Sequence, residues 1–297
     1  MRINNEAVKL KNKINNSFVN QECLDKRSLF TSDKYNIEKF ISSHSDLQIK
    51  PFTIIIPFSR EKINELMVSL SYYNKCLHID KCEILLICYE NNYIEYNFNI
   101  FNNINYRIIR SKRNNKENKF NLSHCKNIGF KNSLYDWVAF LDCDIKVPEI
   151  FCCSLFFYQN NPNISYWARR ININKYTEKS KNILSSYLTV EDGPLGFFGF
   201  YHKDTIFSKL GGYDEKMYGW GFEDIDFIHR SKLAGIIYRK IDDFDVYHNS
   251  HEYNNNWKCL KSKKNNSDIY HYHKNNKIIK IKKKIGKIIK HMQFTQI

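Results

Sequence analysis

No stretch of this 297-residue sequence approaches the ~20 consecutive apolar residues that a membrane-spanning helix needs. Its first residues, MRINNEAVKLKNKINN, hold no apolar core of signal-peptide length, so secretion by that route is not expected. The nine cysteines, at 23, 76, 82, 88, 125, 143, 152, 153 and 259, include no C-x-x-C pair and are odd in number. That excludes the usual zinc spacing and argues for reduced thiols in a cytosolic protein rather than a disulfide framework. Internal repeats, RNP motifs, zinc fingers and helix-turn-helix patterns are also missing. A formal charge of +15 and twenty tyrosines would suit a nucleic-acid binder, but the basic residues gather in one tail instead of striping a fold, so no nucleic-acid partner is expected. What remains, 42% hydrophobic and 15% aromatic residues, is enough for a folded domain with a substantial core and excludes a disordered chain.

The apolar runs place the elements. Phe52 to Ile56, closed by Pro57, reads as a first strand, Glu61 to Tyr73 as a helix, and Ile84 to Cys88 and Tyr106 to Ile109 as further strands. Asn121 to Ser133 has helical spacing and leads into Trp137 to Leu141, which completes half of a nucleotide-binding α/β sheet. Ile164 to Ile173 and Ile236 to Ile241 continue as strands, Asn91 to Asn105 reads as loop, and Ser185 to Gly199 as a mobile loop. The chain divides into an N-terminal extension (1–50), an α/β domain (51–260) and a basic tail (261–297).

Two acid motifs carry the chemistry. In Gly211 to Arg230, GGYDEKMYGWGFEDIDFIHR, Gly219 and Gly221 permit a tight turn, and Trp220 between them offers a flat face for a sugar ring. A helix starts at Glu223, with Asp226 able to pair with Arg230 at i+4 and the acids in the first turn. Taken alone, this pair also fits an acidic surface helix behind a glycine-rich turn. Asp142 and Asp144 end the apolar run WVAFL, so both emerge at a strand's carboxyl end, where alternation puts them on the same side. Two converging carboxylates either repel or bind a cation, and oxygen ligands suit Mg2+ or Mn2+ held jointly with phosphates.

The ordered series IIIPFSR (Ile54 to Arg60), HCKNIGF (His124 to Phe130), FLDCD (Phe140 to Asp144), GGYDEKMYGWGFEDIDF (Gly211 to Phe227) and VYHNSH (Val246 to His251) resembles nucleotide-sugar glycosyltransferases of the GT-A fold. The resemblance is to the family 2-like branch shared by β1,4-galactosyltransferases and bacterial chondroitin and capsule polymerases. It covers roughly Pro51 to His251. It implies a Rossmann-like mixed sheet with helices on both faces, a UDP-sugar donor, a Mn2+ or Mg2+ cofactor, and a glycan or lipid-linked glycan acceptor in a bacterium. Asp144 is the expected metal ligand, with Asp142 on the ribose or on a metal-bound water. His248 is the next ligand and His251 the alternative. Asp224 is the expected general base, so the reaction inverts the anomeric carbon, and Glu223 orients the acceptor, binds the donor sugar or caps the helix. Pro57, Phe58 and Arg60 after the first strand, Glu90 after the second, Lys126, and the backbone of Gly199 are the expected donor contacts. For Gly199 a packing role, and for Lys126 a surface position, stand as alternatives. The family tends to show PF-R-x-R where this chain has PFSRE, which leaves the register of Arg60 open by one residue.

The tail segment KIIKIKKKIGKIIK (Lys277 to Lys290) places its isoleucines at helical spacing. It reads either as a basic amphipathic helix on an anionic membrane or as a terminal helix packed on the domain. Beside the transferase stand a metal-dependent hydrolase and a sugar-nucleotide binder without turnover. The intact acid pairs speak against the second.

Overall fold

The structure, a computed structural model, describes residues 48–90, 96–111, 119–173, 189–193, 196–219, 221–249, 260–281 and 290–292. Nearly all of the expected N-terminal extension therefore lies outside the described residues, as do Trp220, His251 and 282–289 of the tail.

Strands β1 (Thr53–Phe58), β2 (Glu83–Tyr89) and β4 (Trp137–Leu141) are buried at every position, the pattern of strands covered on both faces. Between them run α1 (Ile63–Tyr73), β3 (Tyr106–Ser111) and α2 (Leu122–Asn132). These strands lie parallel in the order β3-β2-β1-β4. The chain thus winds outward from β1 in both directions, and the crevice past the carboxyl ends of β1 and β4 is the switch point where such sheets receive ligands. Arg60 follows β1 there, and Asp142 follows β4.

The second half comprises β5 (Ile145–Lys146), α3 (Phe151–Phe157), β6 (Ile164–Ile173), β7 (Thr189–Glu191), β8 (Phe198–His202), α4 (Lys203–Leu210), α5 (Glu223–Leu233), β9 (Ile237–Asn249), α6 (Leu260–Asn275) and β10 (Lys290–Met292). β8 joins β4 to β6 by antiparallel pairing, β9 runs parallel to β6, and β5 is antiparallel to β9. One face of the sheet presents Ile55, Ile87, Ile109 and Phe140 to Cys125, Ile128 and Phe130 of α2 and to Phe227 of α5. Helix α2 lies so close that a Cβ on Gly129 would stand 2.4 Å from Ile55 Cγ2. On the other face Phe52 meets Phe151, Phe156 and Phe200 edge-on, the favoured aromatic geometry.

Three expectations change. The supposed loop 185–199 contains β7 and the start of β8 within its described part. The strand expected to end at Ile241 continues to Asn249, so His248 sits inside β9 and not after it. In the tail, residues 277–281 form a turn and extended chain, not helix, and Lys290–Met292 pairs with β3. Ile281 N donates to Leu210 O at 2.8 Å, and Ile279 packs against the core. Of the described isoleucines of the tail, Ile279 thus faces the core.

Candidate functional site

Among its described residues the glycine-rich turn has three left-handed ones, Gly219 at φ +73°, Gly221 at +93° and Phe222 at +70°. For phenylalanine that conformation costs energy and persists only where the surroundings enforce it. Helix α6 supplies the enforcement: Asn266 Nδ2 donates to Tyr218 O at 3.1 Å and to Gly221 O at 2.8 Å. A Cβ on Gly219 would stand 2.5 Å from Ser262 Oγ. The strained turn ends where α5 begins, which fixes the direction in which Glu223 and Asp224 leave the backbone.

These two neighbours have different surroundings. Asp224 Oδ1 accepts from Lys126 Nζ at 2.7 Å, and Lys126, fully buried on α2, also donates to Gly196 O at 3.2 Å. A Cβ on Gly196 would overlap Asp224 Oδ2 at 1.6 Å, so only glycine leaves that carboxylate its room. Burial would lower the Lys126 pKa, but Asp224, Asp142 and Glu223 together outweigh it and raise it. Tyr213 and Phe140 place their rings 4.8 and 5.4 Å from the ammonium. Lys126 is therefore a buried strut, not a surface lysine, and its charge is spent on the carboxylates and one carbonyl.

Glu223 is buried, and its Oε2 has no hydrogen-bond partner among the described residues. Burial pushes its carboxyl up to about 8, the Asp224 charge adds to this, and Lys126 pulls back. At neutral pH Glu223 holds a proton and can donate to an incoming oxygen. The folded protein keeps this proton until about 8, while an unfolded glutamate loses it near 4.5, so stability falls as pH rises through that window. Glu223→Gln is expected to remove a slope of up to about 1.4 kcal/mol per pH unit. Urea melts of both proteins at several pH values check this, and identical slopes would refute it.

The D-x-D segment is a turn. β4 stops at Leu141, Ile145 N returns to Asp142 O at 3.1 Å, and Asp142 N donates to Phe197 O at 3.2 Å. Strand alternation therefore does not govern the two acids. Asp142 faces the charges of Lys126, Asp144, Asp224 and Arg170, and burial pushes its pKa up to about 6 against the pull of Lys126. Asp144 Oδ2 lies 3.6 Å from His248 Nε2 and 3.8 Å from Lys62 Nζ. No three His, Cys, Asp or Glu side chains form a metal cage among the described residues. The carboxylate and imidazole nevertheless fit a divalent ion whose other positions are filled by phosphate oxygens and water.

The expected donor contacts divide. Arg60 is exposed at the crevice, and its backbone N–H is capped by the Glu90 carboxylate. Pro57 and Phe58 belong to β1 and not to the loop after it. The Phe58 ring is buried edge-on against Tyr96 at 5.2 Å, so it is core. A Cβ on Gly199 would meet the Tyr201 hydroxyl at 2.1 Å, which accords with the packing alternative.

Residues 196–253 match the family described as the N-terminal domain of galactosyltransferase. GalNAc-T7, crystallised with UDP, GalNAc and Mn2+, aligns with a TM-score of 0.52 at 16% identity over 69% of this chain and 45% of its own. This chain has the GT-A fold of nucleotide-sugar glycosyltransferases. It spans less than half the length of GalNAc-T7. S. aureus TarS 1–349 with UDP-GlcNAc aligns more loosely, with a TM-score of 0.45 at 13% identity over 69% of this chain and 60% of its own. No curated protein matches by sequence.

Within this GT-A fold, two sequence motifs explain each other. His124 bridges Ser111 Oγ at 2.6 Å and Glu215 Oε2 at 2.7 Å, while Asn127 exchanges bonds with the Tyr213 backbone at 2.8 and 2.9 Å. Asn121 caps α2 and holds Glu215 O at 2.8 Å. HCKN is thus the bracket for GGYDE. The sequence displays both motifs but not the joint between them, and it carries no signal for Gly196, Lys62 or Asn172.

Proposed function

We propose that this chain transfers a hexose or hexosamine from a UDP-sugar to a glycan or lipid-linked glycan, with inversion at the anomeric carbon. The observation that carries the reading is Lys126, a buried cation that donates to Asp224 of the second acid motif at 2.7 Å and feels the charge of Asp142 of the first, at the switch-point crevice of the sheet. Sugar-nucleotide transfer needs a leaving-group site and a proton acceptor side by side, and this strut joins them. The co-crystallised UDP, GalNAc and Mn2+ of GalNAc-T7 agree with the donor class.

In the reaction an acceptor hydroxyl oxygen bonds to the anomeric carbon as the bond from that carbon to the diphosphate breaks, its electron pair leaving with UDP. Asp224 takes the hydroxyl proton. It need not be a strong base, because the hydroxyl becomes acidic only as the new bond forms. Glu223, protonated at neutral pH, donates to a sugar oxygen and orients it. Asp144 and His248 would hold a Mn2+ or Mg2+ ion, which when bound supplies Lewis-acid neutralisation of the diphosphate. Arg60 and Lys62 add positive charge on the same rim. The acceptor class, a bacterial surface polysaccharide, rests on the sequence resemblance.

Calorimetric titration of UDP with Mn2+, with EDTA, and against ADP and GDP tests the reading. Metal-requiring binding that prefers UDP is the expected result. Absence of binding to any nucleotide would overturn it.

A further inference from the structure

We propose that Asn172 orients His248 for the divalent ion, holding the ring through Nδ1 so that Nε2 is presented beside Asp144, with Glu191 and Arg170 keeping Asn172 in place. This rests on the reading of Asp144 and His248 as metal ligands.

The pairing of β6 with β9 shifts register between Trp167 and Arg169, and beyond the shift Asn172 lies directly opposite His248. Irregularities of this kind re-aim side chains near functional sites. On the other side of β9, Ile145 of β5 is opposite His248, which brings the preceding Asp144 alongside. His248 therefore stands between the strand that carries Asn172 and the turn that carries Asp144.

Hydrogen-bond chemistry then fixes the ring. Asn172 Nδ2 lies 3.3 Å from Glu191 Oε1, and a carboxylate only accepts, so the NH2 end of the amide must face Glu191. The carbonyl end consequently faces His248 Nδ1 at 3.0 Å, and a carbonyl also only accepts. Nδ1 must carry the hydrogen, which in the neutral ring leaves the lone pair on Nε2. That atom lies 3.6 Å from Asp144 Oδ2, beyond hydrogen-bond reach.

Glu191 is itself anchored, 2.6 Å from Arg170 Nη2, and the Arg170 guanidinium lies 4.5 Å over the Phe197 ring. The positive charge of Arg170 also acts on Asp142. The series Asp144, His248, Asn172, Glu191, Arg170, Asp142 thus begins and ends at the D-x-D turn. Such outer partners orient a ligating imidazole, and their loss typically weakens metal affinity ten- to a hundredfold.

The test is Mn2+ titration in the presence of UDP, together with long-range proton–nitrogen spectra of the imidazoles of the metal-free protein. Asn172→Ala should weaken Mn2+ binding by roughly ten- to a hundredfold and take His248 out of the Nδ1–H tautomer. The double variant Asn172→Asp/Glu191→Gln reverses which side chain donates, leaves an acceptor for Nδ1–H, and should recover both. Should Asn172→Ala fail to fold, Glu191→Ala, which releases the amide to rotate, should show the same loss in weaker form. Wild-type affinity and tautomer in Asn172→Ala or Glu191→Ala, with binding still lost in His248→Ala, would overturn the proposal and leave the metal reading intact. Equal Mn2+ binding by wild type and His248→Ala would instead remove the ligand assignment, and the proposal with it.

Discussion

Asp224→Asn is expected to lower kcat by about a hundred- to ten-thousandfold while Mn2+-dependent UDP binding changes by less than about twofold. The substitution is isosteric. Its carbonyl oxygen can still accept from Lys126, and its amide fits the room over Gly196 that a Cβ would fill. Geometry survives and the proton acceptor does not. The neighbouring acid is a poor substitute, because burial, the larger cause of the raised Glu223 pKa, remains when the Asp224 charge is gone. Two adjacent carboxylates held in different protonation states can divide the labour, one accepting and one donating. Glu223→Gln, which retains a donor, is therefore the milder variant. Single-turnover rates with a competent donor and acceptor decide the matter. Near-normal turnover in Asp224→Asn with collapse in Glu223→Gln would exchange the two roles.

Much of this arrangement was legible in the chain because burial on both faces writes itself as unbroken apolar runs. β1, β2 and β4 could be found that way, and the D-x-D acids with them. The start of α5 at Glu223 was legible because the first turn of a helix favours acids and the glycines before it mark a turn. β5, only Ile145 and Lys146, and β7, only Thr189 to Glu191, are too short to show any period. The far half of β9 was hidden because IDDFDVYHN carries its acids on an edge of the register shift and mimics a loop. Gly196 gave no signal, since its need for glycine comes from the Asp224 carboxylate and not from a backbone angle. Asn172 was one asparagine in an asparagine-rich chain, and only the fold sets it opposite a histidine. In the basic tail the 3-4-3 isoleucine spacing points to a helix, and only 277–281 and 290 of that segment are described. In the described part, hydrogen bonding to the end of α4 and packing on the core outweigh that periodicity.

The largest loss of stability is expected at Asp226, an acid of the second motif to which the proposed reaction gives no role. Asp226 and Arg230 are wholly buried, with Arg230 Nε 2.7 Å from Asp226 Oδ2, and His273 Nδ1 reaches Oδ1 at 2.8 Å. Arg230 also donates to Gly212 O at 3.0 Å, Leu210 O at 3.2 Å and Ile279 O at 3.3 Å. One guanidinium thus ties α5 to the end of α4, the GGYDE loop and the segment after α6, and His273 adds α6 itself. Asp226→Ala leaves that buried cation with carbonyls but no counter-charge, which typically costs about 3–5 kcal/mol. For a chain of this size the melting temperature should drop on the order of 10 °C. Lys240→Ala, which breaks the partly exposed pairs to Asp192 and Asp242 and a contact with the Trp167 ring, should stay within about 1 kcal/mol of wild type. A melting temperature for Asp226→Ala equal to that of Lys240→Ala would refute the bracket. Below its melting point Asp226→Ala should still bind UDP with metal, because Asp144 sits on the D-x-D turn and His248 on β9, away from α5. Its kcat should fall, because the helix that aims Glu223 and Asp224 has lost the clamp behind it.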